Sequence, residues 1–277
     1  MKSNILRSLS ATAALLAAVS AGAAVKVGTP TIDGTGINTT NYDLIALQTN
    51  TTNGFGAGNI AAGLYMAQDA SSLYIGIAGN LSGNSYYIFL DTKAGGATNV
   101  DADPSPGYGE FNDLATGANG IMPSGFLADY VITVKTSTDL GVWDVQANTA
   151  GYRGNSGAPN AGYAMSINNT NAVTAPPYSG VSTGLELRIP KADIGTPTGN
   201  IGVFLILGND NKAGNPATYM SGMTLPNNNA NLNNGNYGND GTGGGGGNGL
   251  NYAGAGGPSI VFPTPQLPVS VSGFGIE

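Results

Sequence analysis

The stretch SYYIFLDTKAGGATNVDADPSPGYGEFND, residues 85 to 113, decides the fold of this chain. It opens on residues 86–90, an apolar run with the aromatic and β-branched composition of a buried strand. The run ends at Asp91 and passes into a Gly-rich loop with four more acidic residues: Asp101, Asp103, Glu110 and Asp113. A buried strand that leads into an acidic loop is typical of the way a β-sandwich presents a metal or ligand site.

Short apolar runs separated by Gly, Asn, Ser, Thr and Pro clusters continue along the chain, and no segment after residue 24 keeps a helical period. The predicted strands are residues 62–68, 73–78, 86–91, 129–135, 141–147, 163–167, 184–190, 201–207, 259–262 and 267–274. One helical turn is predicted at Lys191–Ile194. The spacing of the strands predicts an all-β fold: a two-sheet antiparallel β-sandwich, jelly-roll-like, with long Gly/Asn-rich loops.

The composition excludes several classes of function. The 277 residues carry a net charge of −7 and only 9% of them are charged, so no basic patch exists to bind nucleic acid or an anionic membrane. The chain has no Cys, which rules out disulfides and thiolate metal sites. It also has no His, which removes the usual general base at neutral pH and every imidazole ligand of haem. We therefore expect no nucleic-acid partner and no haem.

The N-terminus has the three parts of a secretory signal peptide. Lys2 and Arg7 supply positive charge, residues 9–19 form a short apolar run, and Ala21-Gly22-Ala23 supplies small residues for cleavage directly after them. The alternative is a retained membrane anchor, but the run is shorter than the roughly 20 residues that cross a bilayer. We expect this signal peptide, residues 1–23, to be cleaved. The protein is then predicted to be secreted, extracellular or at the cell surface, and its mature chain to have no membrane span.

The mature chain, residues 24–277, is predicted to form a single domain. Residues 227–257 are dominated by Asn and Gly, a composition that buries little surface and costs much entropy to order. We interpret this tract as an insertion in the sandwich rather than as a linker. The strands predicted at 259–262 and 267–274 would follow it and pair with residues 25–32 to close the domain.

Four short motifs follow one another in an informative order. Residues 31–34 are TIDG, residues 73–77 and 87–92 are LYIGI and YIFLDT, and residues 184–190 are GLELRIP. They resemble the IDG opening, the paired core strands and the E-x-x-I-P strand end of secreted β-sandwiches like carbohydrate-binding-module family 9 and DOMON domains.

A narrower group resembles the chain more closely. Its motifs are Q-T..T-x-F-G at residues 48–56, F-x-D-x-K-A-G-G at 89–96, D-x-P…F-N-x-L at 103–114 and A-D-Y at 128–130. These motifs are similar to those of secreted bacterial proteins of unassigned function. The resemblance to carbohydrate-binding modules implies a β-sandwich that binds carbohydrate. It also implies structural Ca²⁺, which those modules often hold.

The acidic loop suits a calcium site, because carboxylates are hard oxygen donors and loop carbonyls could complete a shell of six to eight oxygens. The candidate ligands are Asp91, Asp101, Asp103, Glu110 and Asp113. An EF-hand is excluded, because Pro106 stands where that loop needs Gly. The alternative is a solvated loop whose Asp residues cap turns.

Carbohydrate recognition needs aromatic platforms, because the C–H faces of sugar rings stack on Trp or Tyr. Trp143, Tyr86 and Tyr130 lie on apolar faces of predicted strands and are expected in the core. The candidate platforms are four Tyr residues in irregular segments: Tyr108, Tyr152, Tyr163 and Tyr178. The alternative for each is a loop Tyr that covers one end of the sandwich.

The leading hypothesis is a secreted, non-catalytic binding module, with a polysaccharide or glycan as its partner. The alternative is a structural or self-associating protein of the extracellular matrix or cell surface, which the low charge and the amide-rich surface would suit. The third hypothesis is an extracytoplasmic hydrolase. Glu186 is predicted to point outward from its strand, where it could pair with Arg188 or Lys135, and nothing in its sequence context indicates a raised pKa.

Overall fold

The computed structural model describes residues 26–48, 58–100, 120–121, 125–136, 139–145, 162–172, 178–198, 200–208, 221–225 and 260–263. These residues form strands and two short 3-10 helices, Tyr178–Gly180 and Lys191–Ile194. The strands are β1 (Asp43–Leu47), β2 (Ile60–Gln68), β3 (Ser72–Asn80), β4 (Ser85–Asp91), β5 (Asn99–Val100), β6 (Gly120–Ile121), β7 (Tyr130–Thr136), β8 (Asp139–Asp144), β9 (Ala164–Ile167), β10 (Gly184–Pro190), β11 (Asn200–Gly208), β12 (Ser221–Leu225) and β13 (Ile260–Pro263).

Two antiparallel sheets form the β-sandwich. The first sheet has the strand order β1-β2-β3-β10-β9, and the second has the order β12-β11-β4-β7-β8. In the second sheet β13 pairs with the first half of β11, and β12 pairs with the second half. The all-β, two-sheet antiparallel fold that the sequence predicts is therefore confirmed.

The core lies between the sheets and follows from the alternation of each strand. In β10 the side chains of Leu185, Leu187 and Ile189 are at most 1% exposed and belong to this core. In β7, Ile132 and Val134 meet them from the second sheet. Such facing apolar layers are the usual interior of a sandwich, because each strand turns every second side chain inward.

The second sheet is also buried on its outer face, which explains the unbroken apolar run of β4. Phe204, Phe89, Val131 and Trp143 pair in register across β11, β4, β7 and β8, and none of them belongs to the core between the sheets. All four are at most 3% exposed. Trp143 is thus buried, as predicted, but on the face of β8 that points away from the core between the sheets.

The predicted pairing of residues 259–262 with residues 25–32 is wrong. Val27 forms an isolated parallel bridge with Gln68 at the end of β2, in the first sheet. In contrast, β13 pairs with β11 in the second sheet. Residues 1–23, 227–257 and 267–274 lie outside the described residues, so the signal peptide, the insertion and the last predicted strand stay predictions.

The predicted helical turn is confirmed as the 3-10 helix Lys191–Ile194, which ends at Gly195 with a φ of 82°. No helix within the part of the chain that the structure describes is both long and apolar enough to cross a membrane.

Candidate functional site

Residues 30–42 lie across the outer face of the first sheet. Gly76 of β3 pairs with Glu186 of β10, and both lie on the face opposite the core. Ile37 and Tyr42 are buried against this face, at 0% and 6% exposure. A side chain at Gly76 would place its Cβ 2.7 Å from Cγ2 of Ile37, so the glycine makes room for the segment.

Glu186 fixes this segment to the sheet. Its Oε2 accepts hydrogen bonds from the backbone N–H groups of Asp33, at 2.8 Å, and Gly34, at 2.6 Å. Its Oε1 accepts one from the Tyr42 hydroxyl at 2.8 Å. A carboxylate with three donors is well compensated for its burial. The IDG and E-x-x-I-P motifs, which are about 150 residues apart in sequence, therefore meet at one side chain.

Gly34 is the residue that this contact requires. Its φ is +79°, in the left-handed region, and a side chain there would place its Cβ 2.9 Å from both N and Cβ of Asn168. Only glycine adopts this conformation and fits this space at little cost. In this conformation the backbone N–H of Gly34 donates its hydrogen bond to Oε2 of Glu186, which lies beneath residues 30–42.

The prediction that Glu186 is free to pair with neighbouring bases is wrong. The side chain does point away from the core, but residues 30–42 cover it and leave it 1% exposed. Arg188 donates instead to the carbonyl of Gly162 at 2.7 Å. Burial, together with the charge of Asp33, raises the pKa of Glu186 despite its three hydrogen bonds. No local signal in the sequence shows this, because the covering segment belongs to a distant part of the chain.

Asp33 is exposed and stays ionised at neutral pH. Its Oδ1 accepts hydrogen bonds from the hydroxyl of Thr35, at 2.7 Å, and from the Thr35 backbone N–H, at 2.8 Å. These bonds to the charged form lower the pKa of Asp33. The result is an Asx turn that holds a carboxylate at the rim of the segment.

The segment and β10 enclose a polar pocket of about 230 Å³. Its lining residues are Pro30, Thr31, Asp33, Thr35, Gly36, Thr39, Asn41, Tyr42 and Glu186. None of these nine residues is a Lys or Arg. Thr31, Thr39 and Asn41 are exposed, and their side chains make no hydrogen bond to the residues that the structure describes. The pocket therefore offers free hydroxyl and amide groups to a ligand.

The predicted calcium ligands are only partly within the described residues. Asp91 is half-buried at the end of β4, and its Oδ2 accepts a long hydrogen bond, 3.4 Å, from the Leu127 N–H. Burial, and to a lesser extent the charge of Asp129, raises the pKa of Asp91. Asp101, Asp103, Glu110 and Asp113 lie outside the described ranges. No three acidic side chains converge on a metal-sized site within those ranges.

Asp129, in the A-D-Y motif, is a buried carboxylate that the sequence did not single out. It is 0% exposed, and its Oδ2 accepts the backbone N–H groups of Thr92, at 2.6 Å, and Lys93, at 2.8 Å. Its Oδ1 has no hydrogen-bond partner among the described residues. Burial raises the pKa of Asp129. Asp129 thus anchors the chain where it leaves β4.

Two of the four predicted aromatic platforms are buried. Tyr163 and Tyr178 are 5% and 3% exposed and belong to the buried hydrophobic cluster of the described residues. That burial does not fit stacking on a sugar, which needs an exposed ring face. Tyr108 and Tyr152 lie outside the described residues. Tyr42, which is among the pocket-lining residues but only 6% exposed, was not among the predicted platforms.

No protein-family model and no curated protein matches this chain. Among solved structures, it is similar to a carbohydrate binding module family 9 (CBM9) from Caldicellulosiruptor kristjanssonii in complex with cellotriose. The identity is 14%, the alignment covers 67% of this chain and 75% of that chain, and the TM-score is 0.29. A likeness at this level carries no argument about function, and the family resemblance of the motifs stays a prediction.

Proposed function

We propose that the protein is a secreted, non-catalytic module that binds carbohydrate, and that the pocket beside Glu186 holds one sugar residue of a glycan. The observation that supports this most is the lining: hydroxyl, amide and carboxylate groups surround the cavity, together with Tyr42. Sugar hydroxyls both donate and accept hydrogen bonds and pair with such groups. The volume of about 230 Å³ is below the roughly 300–1,000 Å³ of pockets for larger ligands, which suits a single ring.

The pocket wall is ordered before any ligand binds. Glu186 holds Asp33, Gly34 and Tyr42 in place, and Thr35 holds the carboxylate of Asp33. Ligand binding would therefore cost little conformational entropy in ordering the wall. This low cost favours affinity even when the contact area is small.

The same hydrogen bonds argue against glycoside hydrolysis. A glycosidase needs one carboxylic acid that protonates the leaving group and a second carboxylate across the scissile bond. Both oxygens of Glu186 are occupied, and the two backbone N–H groups at Oε2 can only donate. Asp33 has a lowered pKa, the wrong direction for a general acid. We expect no reducing ends to be released from glycans that the protein binds.

Affinity electrophoresis on a panel of polysaccharides, with a glycan array beside it, tests the proposal. The protein should be retained by at least one glycan, and Asn41→Ala should weaken the retention, because Asn41 lines the pocket. The matched control is Asn200→Ala, an exposed residue at the start of β11 in the other sheet. A blank array, or equal retention of the two variants, would refute binding in this pocket.

The alternative, self-association, draws on one feature of the surface. Val27 and Leu44 are 64% and 50% exposed, and both lie at the β1 edge of the first sheet. However, the register of β1 on β2 shifts between Leu44 and Ala46, and such a bulge discourages pairing of edges. Light scattering over a concentration series without glycan separates the two functions, since only a structural subunit would assemble.

Structural calcium is proposed for the loop after β4, with Asp91 as its first ligand. The support is the sequence pattern and the half-buried carboxylate. Thermal melts with Ca²⁺ and with EDTA test it, because an ion that binds the folded state raises the Tm. An unchanged Tm would count against the ion.

A further inference from the structure

We infer that the sugar held by this pocket carries a free amine, so that the ligand is a glycan with unacetylated amino sugars. The inference rests on the proposed carbohydrate binding and names the ligand class of the same pocket. It comes from the charges of the lining: Asp33 and Glu186 are the only charged residues among the nine, and both are acidic.

The two carboxylates have different parts in the pocket. The oxygens of Glu186 are used by Asp33, Gly34 and Tyr42, so Glu186 contributes its charge rather than a contact. Asp33 is exposed at the rim, and its Oδ1 accepts hydrogen bonds from Thr35 of its own turn. A ligand can therefore reach Asp33, and it meets the negative potential of both groups.

Two basic residues beside the first sheet, Arg188 and Lys191, have partners outside the pocket. Arg188 follows Glu186 on β10 but donates to the carbonyls of Gly162, at 2.7 Å, and Tyr163, at 3.5 Å. Lys191 is buried, and its Nζ donates to Gln68 Oε1 and to the Asp69 carbonyl, both at 2.7 Å. Neither base lines the pocket, so the lining has no positive charge opposite its two carboxylates. A cationic ligand would supply that positive charge.

The chemistry of an ammonium group fits these acceptors. It donates three hydrogen bonds, and a bond to a carboxylate is roughly twice as strong as one between neutral groups. The hydroxyls of Thr31 and Thr39 and the amide of Asn41 remain for the ring hydroxyls. A uronic acid or a sulfated sugar would bring a negative charge to two carboxylates and be repelled, and N-acetylation would remove the favourable charge.

Calorimetric titration of the full chain at pH 6 with three β-1,4-linked tetramers tests the inference. The tetramers are of glucosamine, of N-acetylglucosamine and of glucose. We expect the glucosamine tetramer to bind at least about tenfold more tightly than the other two, a difference that corresponds to about 1.4 kcal/mol. Equal binding of the glucose tetramer would overturn the amine and leave carbohydrate binding intact. Failure of every tetramer and of every glycan on the array would overturn both.

A fourth titration, with tetralysine, separates an amino sugar from a simple amine. Tetralysine supplies ammonium groups without ring hydroxyls, so it should bind at least about tenfold more weakly than the glucosamine tetramer, since Thr31, Thr39 and Asn41 would lack partners. Equal or tighter binding of tetralysine would overturn the sugar.

The variant Asp33→Asn tests which group recognises the amine. Asn keeps the Oδ1 acceptor for Thr35 and removes the charge, so the turn is retained. The preference for the glucosamine tetramer over the glucose tetramer should fall by about tenfold. Asp193→Asn, on the 3-10 helix at Lys191–Ile194, is the matched control and should keep the full preference. An undiminished preference in Asp33→Asn would overturn the assignment.

Discussion

Glu186 is a single side chain on which a whole segment depends. Its replacement by Ala would leave the N–H groups of Asp33 and Gly34 and the hydroxyl of Tyr42 without their acceptor. Buried donors that lose a partner cost about 1–3 kcal/mol each when water does not replace it. We expect Glu186→Ala to lower the free energy of unfolding by about 3 kcal/mol in urea titrations.

Glu186→Gln is the matched variant for this prediction. Its amide oxygen can still accept both N–H groups, and Tyr42 can turn its hydroxyl to accept from the amide nitrogen. The cost should therefore be about 1 kcal/mol. Equal losses in the two variants would show that the hydrogen bonds of Glu186 do not hold the segment.

Asp129 gives a prediction about pH with a definite sign. Burial raises the pKa of its carboxyl above the ordinary value of 3.8, so the folded state holds the proton more tightly than the unfolded chain does. The resulting stabilisation is fully present below the unfolded pKa and is lost as the pH rises through the folded pKa.

Asp129→Asn removes this titration and keeps an oxygen for the N–H groups of Thr92 and Lys93. Urea unfolding at a series of pH values should show the wild type losing stability relative to the variant as the pH rises from about 4. A constant difference between wild type and Asp129→Asn across the series would contradict the raised pKa.

At the scale of elements, the segment 30–42 needs Gly34 to reach β10. Gly34→Ala would force a side chain into the left-handed region and against the backbone of Asn168. We expect a loss of about 3 kcal/mol, measured by urea unfolding, and weaker glycan binding, because Asp33 would shift with its neighbour.

Gly83 offers the matched control for backbone strain alone. Its φ is +77°, nearly that of Gly34, but no other atom lies within 4 Å of where a Cβ would stand. Gly83→Ala should therefore cost only about 1 kcal/mol and leave binding unchanged. If the two variants lost the same stability, the close packing of Gly34 on Asn168 would not matter.

Strands were predictable where their pattern is local. The alternation of β10 and the continuous apolar run of β4 show in the sequence, because burial of one face or of both faces sets the period directly. In contrast, β1 was missed: it is five residues long and its side chains are half-buried or exposed, so its pattern is weak. The helical turn at Lys191–Ile194 was found because Gly195 ends it.

At the scale of the whole molecule, the candidate site could not be predicted, because it depends on contacts between distant parts of the chain. The IDG motif and Glu186 are both visible in the sequence, but nothing local shows that one covers the other. The same limit applies to Tyr163 and Tyr178, whose irregular context suggested exposure although tertiary packing buries both. The chemistry of residues is readable from sequence, whereas their juxtaposition requires the fold.

Binding in the pocket should stabilise the whole fold, because the pocket exists only in the folded protein, where Glu186 holds Asp33, Gly34 and Tyr42. A ligand at 100 times its Kd adds about 2.7 kcal/mol to the folded state, which would raise the Tm of a chain of this size by roughly 5–10 °C. We expect this shift with the glucosamine tetramer. Asn41→Ala should keep the Tm of the free protein, since Asn41 is exposed, and show a smaller shift at the same tetramer concentration. A shift as large in Asn41→Ala as in Asn200→Ala would place the tetramer outside this pocket, because only Asn41 lines it.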